Sequence, residues 1–482
     1  MPPTLQSPTQ FLLSMVGPST MAETLQDYEQ WWFAEGMEIS AAHDRAGTPW
    51  LKMFDLQGRR IDELQYAPSY WIMLRKGYKA GAVWRAIENN TLLEPFQIGY
   101  VTSFFDAGLY CPHTVSISTA TPLAKYGSQA VKDRFLTPML RKDDTVWQGA
   151  TWFTEARGGS DLGANVDTIA RQDGDRWLLN GDKYFTSNAI AEVAVVAARI
   201  EGATHGIKGL ALFLTPKRKD NGDLNFFIRR IKDKIATRSV PTGEIELRDS
   251  EAYLLGKPEW GIYQILEVLN LSRVCNCMGA VALAQRAYAD AYQFASERIA
   301  FGKPLIEQPL MKHQFEARAN ELRGLFAMAW ESAKLLNSVY QETPPYSERF
   351  HLFRLLVHLA KYWTAERAVQ FSKWCMEVHG GMGTLAEFGV ERWLREAMIL
   401  AIWEGPPHRQ MLDGLECMER KHAHMLLFDW LAQWTTEASR SEMRARVEQH
   451  LALPADEKEA RVQELFDTLS AYVATSLGNR ST

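Results

Sequence analysis

Three long segments, QILEVLNLSRVCNCMGAVALAQRAYADAYQFASERIA, LMKHQFEARANELRGLFAMAWESAKLLNSVY and ERFHLFRLLVHLAKYWTAERAVQFSKWCMEVH, carry apolar residues at helical spacing. Helices of that length must bury an apolar stripe along their whole extent, and the natural partner for such a stripe is another helix of similar length. The chain after Gly261 is therefore expected to form a helix bundle, completed by VERWLREAMILAIWEG. Between about 149 and 258 the period changes to two. VDTIARQDGDRWLLNGDKYFTSN alternates around Asp173-Gly174 and Asn180-Gly181, both expected to be turns, and AEVAVVAARI and GLALFLTP add strand-like runs.

This pattern predicts a mainly α fold with a central antiparallel β domain. Residues 1–148 read as an N-terminal helical domain, periodic in QDYEQWWFAEGMEISAAH and with a connector around DLQGRRIDELQYAPSY. Residues 149–258 are the middle β domain, 259–420 a C-terminal four-helix bundle, and 421–482 a helical extension broken at Pro454.

With 46% hydrophobic and 23% charged residues in 482, the chain can bury the core of a multi-domain globular protein. No apolar run in the sequence approaches a membrane span, and MPPTLQSPTQFLLSMVGPST has no basic residue ahead of its apolar patch, so neither a span nor a secretory signal is expected. The expected location is the cytoplasm. Cys111, Cys275, Cys277, Cys375 and Cys417 are expected to be reduced thiols, the 275/277 pair being too close for usual zinc-ligand spacing, so no metal is expected. His422 and His424 in KHAH read as a solvated pair. A formal net charge of −5 gives no overall attraction for nucleic acid. The basic stretch 217–234, KRKDNGDLNFFIRRIKDK, reads as a charged hairpin turned at Asn221-Gly222 rather than a phosphate-binding patch.

Glu404 stands apart. In VERWLREAMILAIWEG the charges at 391, 392, 395 and 396 give way to seven uncharged residues, Ala397 to Trp403, which are expected to enter a core before Gly405 and two prolines end the helix. A carboxylate at a buried helix C-terminus is disfavoured both by desolvation and by the helix dipole, so its pKa should rise toward that of a general base for a carbon acid. Taken alone, the segment favours a plainer reading, a terminal glutamate that bends to solvent or pairs with Arg409.

Other segments are equally two-sided. TWFTEARGGSDLGA sets Thr154 and Ser160 around a Gly158-Gly159 turn, as donors to a polar ring or phosphate or as an ordinary strand-turn. KYFTSN offers Phe185, Thr186 and Ser187 as a stacking wall or as core. ERIAFGKPLIEQPLM leaves Arg298 at a helix end before Phe301-Gly302, suited to a phosphate or to a surface ion pair. HGGMGTLA contains Gly381-x-Gly383-x-x-Ala386, formally a dinucleotide fingerprint. The segment before it reads as helix and not as the required strand, so it marks only a loop where backbone approaches closely.

In order and spacing, TEARGGSD, KYFTSN, TRSVPTGEIEL, ERIAFGKPL, HGGMG and WLREAMILAIWEG together resemble the acyl-CoA dehydrogenase family over roughly residues 100 to 415. GRRIDELQYAPSYWIM, GLYCPHTVSISTATPL and FGKPLIEQPLM resemble its AidB-type branch, relatives of isovaleryl-CoA dehydrogenase. The resemblance implies a homodimer or homotetramer with FAD as cofactor. It implies Phe153, Thr154 and Ser160 along the flavin and its pyrophosphate, and Phe185, Thr186 and Ser187 over the ring. Arg298, Phe301 and the loop from Glu377 to Gly381 would reach FAD of a neighbouring subunit, with Pro406 and His408 also toward the cofactor. Ser160, Arg273 and Gly405 would face substrate.

The reaction implied is α,β-dehydrogenation of an acyl-CoA or other acyl thioester. Glu404 would take the α proton while hydride leaves the β carbon, and the carbonyl would be polarised by the Glu404 backbone N–H and a ribityl hydroxyl. Electrons would pass to an electron-transfer flavoprotein or oxygen. Where some relatives carry a second acid beside the arginine, Ser272 stands here. Pro406, Glu377, Ala300 and Pro309 replace Thr, Gln, Thr and Gln of the family pattern, which implies a different or weaker hold on the adenine end. The alternative function is an AidB-like, DNA-associated flavoprotein of the alkylation response with little turnover. Residues 421–482, however, hold seven Lys and Arg against nine Asp and Glu, a net of −2, and lack the clustered positive charge that phosphate binding needs.

Overall fold

The change of hydrophobic period coincides with a change of element. A computed structural model describes residues 5–46 and 49–479, and among them the last helical piece before the change ends at Met139, the strands run from Gly149 to Leu254, and the next long helix begins at Gly261. Met1–Thr4 and Arg480, drawn on above for the leader and for the charge of the extension, lie outside the described residues. The chain folds as two compact units that interleave along the sequence: one holds residues up to 29, 103–107 and 273 onward, the other 30–102 and 108–272.

The second unit is built on β3 (Gly149–Trp152), β4 (Ile169–Asp173), β5 (Arg176–Ser187), β6 (Val193–Ile200), β7 (Leu210–Pro216), β8 (Phe227–Ile231) and β9 (Thr242–Leu254), preceded by a hairpin of β1 (Trp50–Phe54) and β2 (Arg60–Gln65). The order β3-β6-β4-β5-β9-β7, with β7 also pairing β6, closes a ring; β8 adds to β9. The sheet is antiparallel except where β6 runs parallel to β3 and β4. β6 and β7 are buried nearly throughout, which is why VAVVAARI and LALFLTP read as unbroken apolar runs. Trp152, Leu179, Val196, Phe213, Ile228 and Ile245 form the core between them.

Two expectations fail here. Asp173-Gly174 does turn the β4–β5 hairpin, but Asn180-Gly181 lies inside β5 at a register shift against β9. Gly181 is needed for close approach: at φ 149°, an added Cβ would sit 2.7 Å from the Thr168 Cα. The connector DLQGRRIDELQ is not a loop but β2 and its turn. Its alternation was masked because the inward residue is Asp62, buried and accepting the Ile228 N–H at 2.8 Å. The 217–234 stretch does turn at Asn221-Gly222, and on the sheet surface Arg229 pairs with Asp182 and Glu246, and Arg230 and Lys232 with Glu244.

The first unit contains helices Pro309–Val339, Glu348–His379, Val390–Ile402 and Pro407–Lys421, with the later part of Gly261–Glu297. The 421–482 extension is no appendage. Its helix Val462–Gly478 lies so close to Pro309–Val339 that a Cβ on Gly324 would meet the Ala474 carbonyl at 2.8 Å. Pro454 caps a new helix, as expected. The stretch Pro258–Glu297 is long and apolar enough to span a membrane, contrary to the run-length reading, but 83% of its apolar window is buried in protein, as for a core helix. All five cysteines are buried and free. His424 is also buried, with its pKa lowered by desolvation, so the KHAH histidines are not a solvated pair; only His422, at φ 49° in the helix-ending residue, is exposed.

Candidate active site

Helix Val390–Ile402 ends where its sequence says, but its second half is not wholly buried: Met398 and Ile402 are 40% and 59% exposed. Trp403 is extended, Glu404 has φ 59°, Gly405 φ 101°, and Pro406 caps helix Pro407–Lys421. Glu404 thus lies not in the last helical turn but in a tight bend between two helices. A non-glycine residue in the left-handed region costs about 1–2 kcal/mol and persists only where its surroundings dictate it.

Those surroundings are side chains donating to the carbonyls that a helix C-terminus leaves unpaired. Arg273 Nε and Gln410 Nε2 donate to the Glu404 carbonyl at 3.1 and 3.0 Å. Gln410 also donates to the Gly405 carbonyl at 2.9 Å, and its Oε1 meets His358 Nδ1 at 2.9 Å. Lys361 Nζ donates to the Ala401 and Gly405 carbonyls at 2.8 and 2.9 Å. Asn276 holds the Leu400 carbonyl at 3.0 Å. Arg409, the alternative partner for the acid, is bound instead to Asp413 at 2.8 Å. The plainer reading of Glu404 as half of a surface ion pair is therefore not what the chain builds.

Glu404 keeps some accessible surface, yet desolvation pushes its carboxyl above the ordinary value, opposed by the charges of Arg273 and Lys361. Burial lowers Arg273, pulls Lys361 down to about 7, and takes His358 to about 3, so that this imidazole is neutral. The result is a raised carboxyl on a rigidly held backbone, with two cations nearby to moderate its cost.

The remaining expected residues of this unit fall at three places. Arg298 is exposed just past helix Gly261–Glu297, makes no ion pair among the described residues, and leads into a two-residue hairpin, Ile299–Ala300 with Lys303–Pro304. At its tip Phe301 is 98% exposed with φ 50°. Glu377 is exposed and paired with Lys373. It is followed by buried His379, stacked on Phe294, and by exposed Gly381. The segment before the glycines is helix, as the rejection of the dinucleotide fingerprint required. His408 is exposed in the first turn of Pro407–Lys421, and Gly405 and Pro406 belong to the Glu404 bend.

In the second unit Phe153 and Thr154 run beside Tyr184–Ser187, tied by Tyr184 N–H to the Thr154 carbonyl at 3.0 Å and by Trp152 Nε1 to the Ser187 carbonyl at 3.3 Å. Lys183, fully buried, anchors this strand on Glu155 at 2.6 Å. Burial pushes Glu155 up, but the Lys183 charge and the hydrogen bonds it receives hold it below its usual value. Phe185 is 54% exposed, whereas Phe153 is buried, so the latter can offer backbone but little ring surface. Ser160 is exposed on the turn, and Ser187 Oγ meets Thr242 Oγ1 at 3.3 Å. Ser272 is buried against Ser118 at 3.1 Å.

These residues suit a flat, polar-edged cofactor. Phe185 presents an aromatic face, and beside it Thr186 Oγ1 is buried without a hydrogen-bond partner among the described residues. Lys361, Gln410 and His358 were not singled out in the sequence. Lys361 offered a signal, a cation inside the apolar run LLVHLAKYW of a buried helix.

The chain matches domain models of a class of flavin-dependent oxidoreductases. The chain belongs to the acyl-CoA dehydrogenase family, FAD-dependent enzymes acting on CH–CH groups. The family's C-terminal domain matches residues 259–416 and its middle domain 150–250, while 5–143 match the adaptive response protein AidB N-terminal domain. The putative acyl-CoA dehydrogenase AidB of Escherichia coli is 29% identical over 88% of this chain and 79% of its own length. Acyl-CoA dehydrogenase family member 11 of Caenorhabditis elegans is 29% identical over 79% of this chain, which spans 64% of that relative's length. The solved structure of Bd2924 in its apo form, 28% identical, superposes with a TM-score of 0.88 over 98% of this chain and 97% of its own.

Proposed function

We propose that the protein oxidises an acyl thioester at its α,β carbons, with Glu404 as the general base. The observation that carries this is the Glu404 bend: an acid whose backbone carbonyl is held by Arg273 and Gln410, whose carboxyl is raised by desolvation, and whose neighbour in sequence, Arg409, is committed to Asp413. FAD, when bound, supplies the hydride acceptor. Thr154, Ser160, Phe185, Thr186 and Ser187 of the second unit would hold it, with the Phe153 backbone; Arg298, Phe301, Glu377, Gly381, Pro406 and His408 of the first unit are proposed for its outer parts. Glu404 removes the α proton, its backbone N–H orients the thioester carbonyl, and Arg273 and Gly405 line the substrate side.

The electron acceptor is proposed to be an electron-transfer flavoprotein or oxygen, the assembly a homodimer or homotetramer, and the location the cytoplasm, which suits five free thiols. The competing proposal, a DNA-associated flavoprotein with little turnover, is disfavoured by the net charge of −5 and by the pairing of Arg229, Arg230 and Lys232 within the 217–234 stretch.

The deciding experiment is anaerobic bleaching of the flavin absorbance against a panel of acyl-CoAs, followed by stopped-flow reduction of Glu404→Gln. The variant keeps shape and hydrogen bonding but cannot accept a proton, so reduction should slow by at least about 10²-fold while flavin and ligand still bind. Near wild-type reduction would show that the isolated acid is structural. No bleaching with any thioester, combined with tight and steeply salt-dependent duplex binding, would favour the DNA-associated alternative.

A further inference from the structure

Lys361 is 1% exposed in the middle of helix Glu348–His379. A buried lysine must either place its ammonium hydrogens on acceptors or give up its charge. This one donates to two main-chain carbonyls, Ala401 at 2.8 Å and Gly405 at 2.9 Å. They lie on either side of Glu404, one in the last turn of helix Val390–Ile402 and the other immediately past the acid. A single ammonium therefore spans the bend. The Glu404 carbonyl itself is held by Arg273 and Gln410, while its carboxylate oxygens accept no hydrogen bond among the described residues. The main chain is pinned and the reactive head is left free, as a base requires.

We propose that Lys361 is the positioning residue of Glu404: it fixes the bend that aims the carboxylate and, while protonated, favours the ionised acid over the neutral one. The catalytic half of this rests on the dehydrogenase reading above; the structural half does not. Facing the ammonium are Arg273 and Cys277 from helix Gly261–Glu297, Glu404 from the bend and Glu366 from its own helix; facing Glu404 are Arg273 and Lys361. Arg273 stays cationic throughout, burial raises the Cys277 thiol to about 12 and also raises the Glu366 and Glu404 carboxyls, so the group facing the bend that loses its charge near neutral pH is Lys361. Lys361 and Glu404 each shift the other's titration. Protonated Lys361 holds the acid's pKa down, and its loss lets that pKa rise.

The test compares Lys361→Met and Lys361→Arg in the flavin-loaded full chain by two readouts, amide hydrogen exchange over residues 401–405 and the pH profile of flavin reduction by the best thioester of the panel. Lys361→Met removes a charge-assisted hydrogen-bond donor, so exchange in 401–405 should accelerate by about tenfold. The limiting reduction rate should fall with little change in substrate affinity, and the acid limb of the profile should move to higher pH. Lys361→Arg keeps the cation, and should recover much of the protection and return the limb toward wild type. Wild-type exchange over 401–405 with an unmoved acid limb in Lys361→Met would overturn the proposal. If Lys361→Met does not fold, the wild-type protein decides: protection over 401–405, corrected for intrinsic exchange, should weaken as pH rises through about 7, where the ammonium is lost, and a flat profile overturns it. If no thioester reduces the wild-type flavin, the dehydrogenase reading falls while the exchange comparison still decides whether Lys361 holds the bend.

Discussion

At the scale of single residues, the chain places a carboxylate where it is costly. Burial raises the Glu404 pKa, and the sign of the consequence follows by linkage: a carboxyl whose folded pKa exceeds its unfolded value adds stability in its protonated form, and that contribution is lost as pH rises through the folded value. Ionised Glu404 is thus a stability cost at neutral pH, accepted for reactivity. Glu404→Gln should gain stability relative to wild type as pH rises above the ordinary carboxyl range, with the gap closing on the acid side, as read by denaturant midpoints across pH. In parallel the acid limb of flavin reduction should lie above the ordinary range of a free glutamate. A constant gap between variant and wild type across pH would mean that the acid is not desolvated. The buried Lys183 and Glu155 follow a different logic: they are each other's counter-charge, and their satisfied network holds the strand that presents Phe185 and Thr186.

At the scale of elements, close backbone approach decides more than propensity does. Helix Val462–Gly478 fits on Pro309–Val339 because Gly324 has no Cβ; a Cβ on Gly478 would likewise sit 2.9 Å from the Gly324 Cα. Nearby, a Cβ on Gly414 would be 2.3 Å from the Phe466 ring. The extension is therefore part of the bundle core. Gly324→Leu should destabilise the protein by about 1–3 kcal/mol, the usual range for overpacking, with the denaturant m-value unchanged. A neutral effect would show that the last helix is loosely docked.

At the scale of the whole molecule, Phe301, at 98% exposure, forms an exposed tip with Ile299, at 66%, and neighbouring Arg298. In the proposed homo-oligomer this tip would reach the cofactor of a second copy. Arg298→Ala should then weaken both flavin retention and self-association, because ligand binding and assembly are linked. Flavin content and sedimentation measured on the same preparation check this. Full retention of flavin in a protein that is monomeric with or without the substitution would remove the assignment.

Much of this was legible in the amino-acid sequence because it depends on local spacing. Long helical periods require helix partners, VAVVAARI and LALFLTP require burial on both faces, and Gly-Pro-Pro after an apolar helix has to end it, so the bundle, the sheet and the end of that helix were readable, but not the left-handed bend that holds Glu404. Contacts distant in sequence were not. Asn180-Gly181 looks like a turn and is a bulge, because what claims the glycine is Thr168 across the sheet. Asp62 hides a strand, because its partner is the Ile228 amide, 166 residues away. Lys361 lies 43 residues before Glu404, and only the packing of two helices brings its ammonium onto the carbonyls flanking the acid. Periodicity fixes which face of an element is buried; which donor meets which carbonyl depends on how the faces pack, and that is decided only in the tertiary structure.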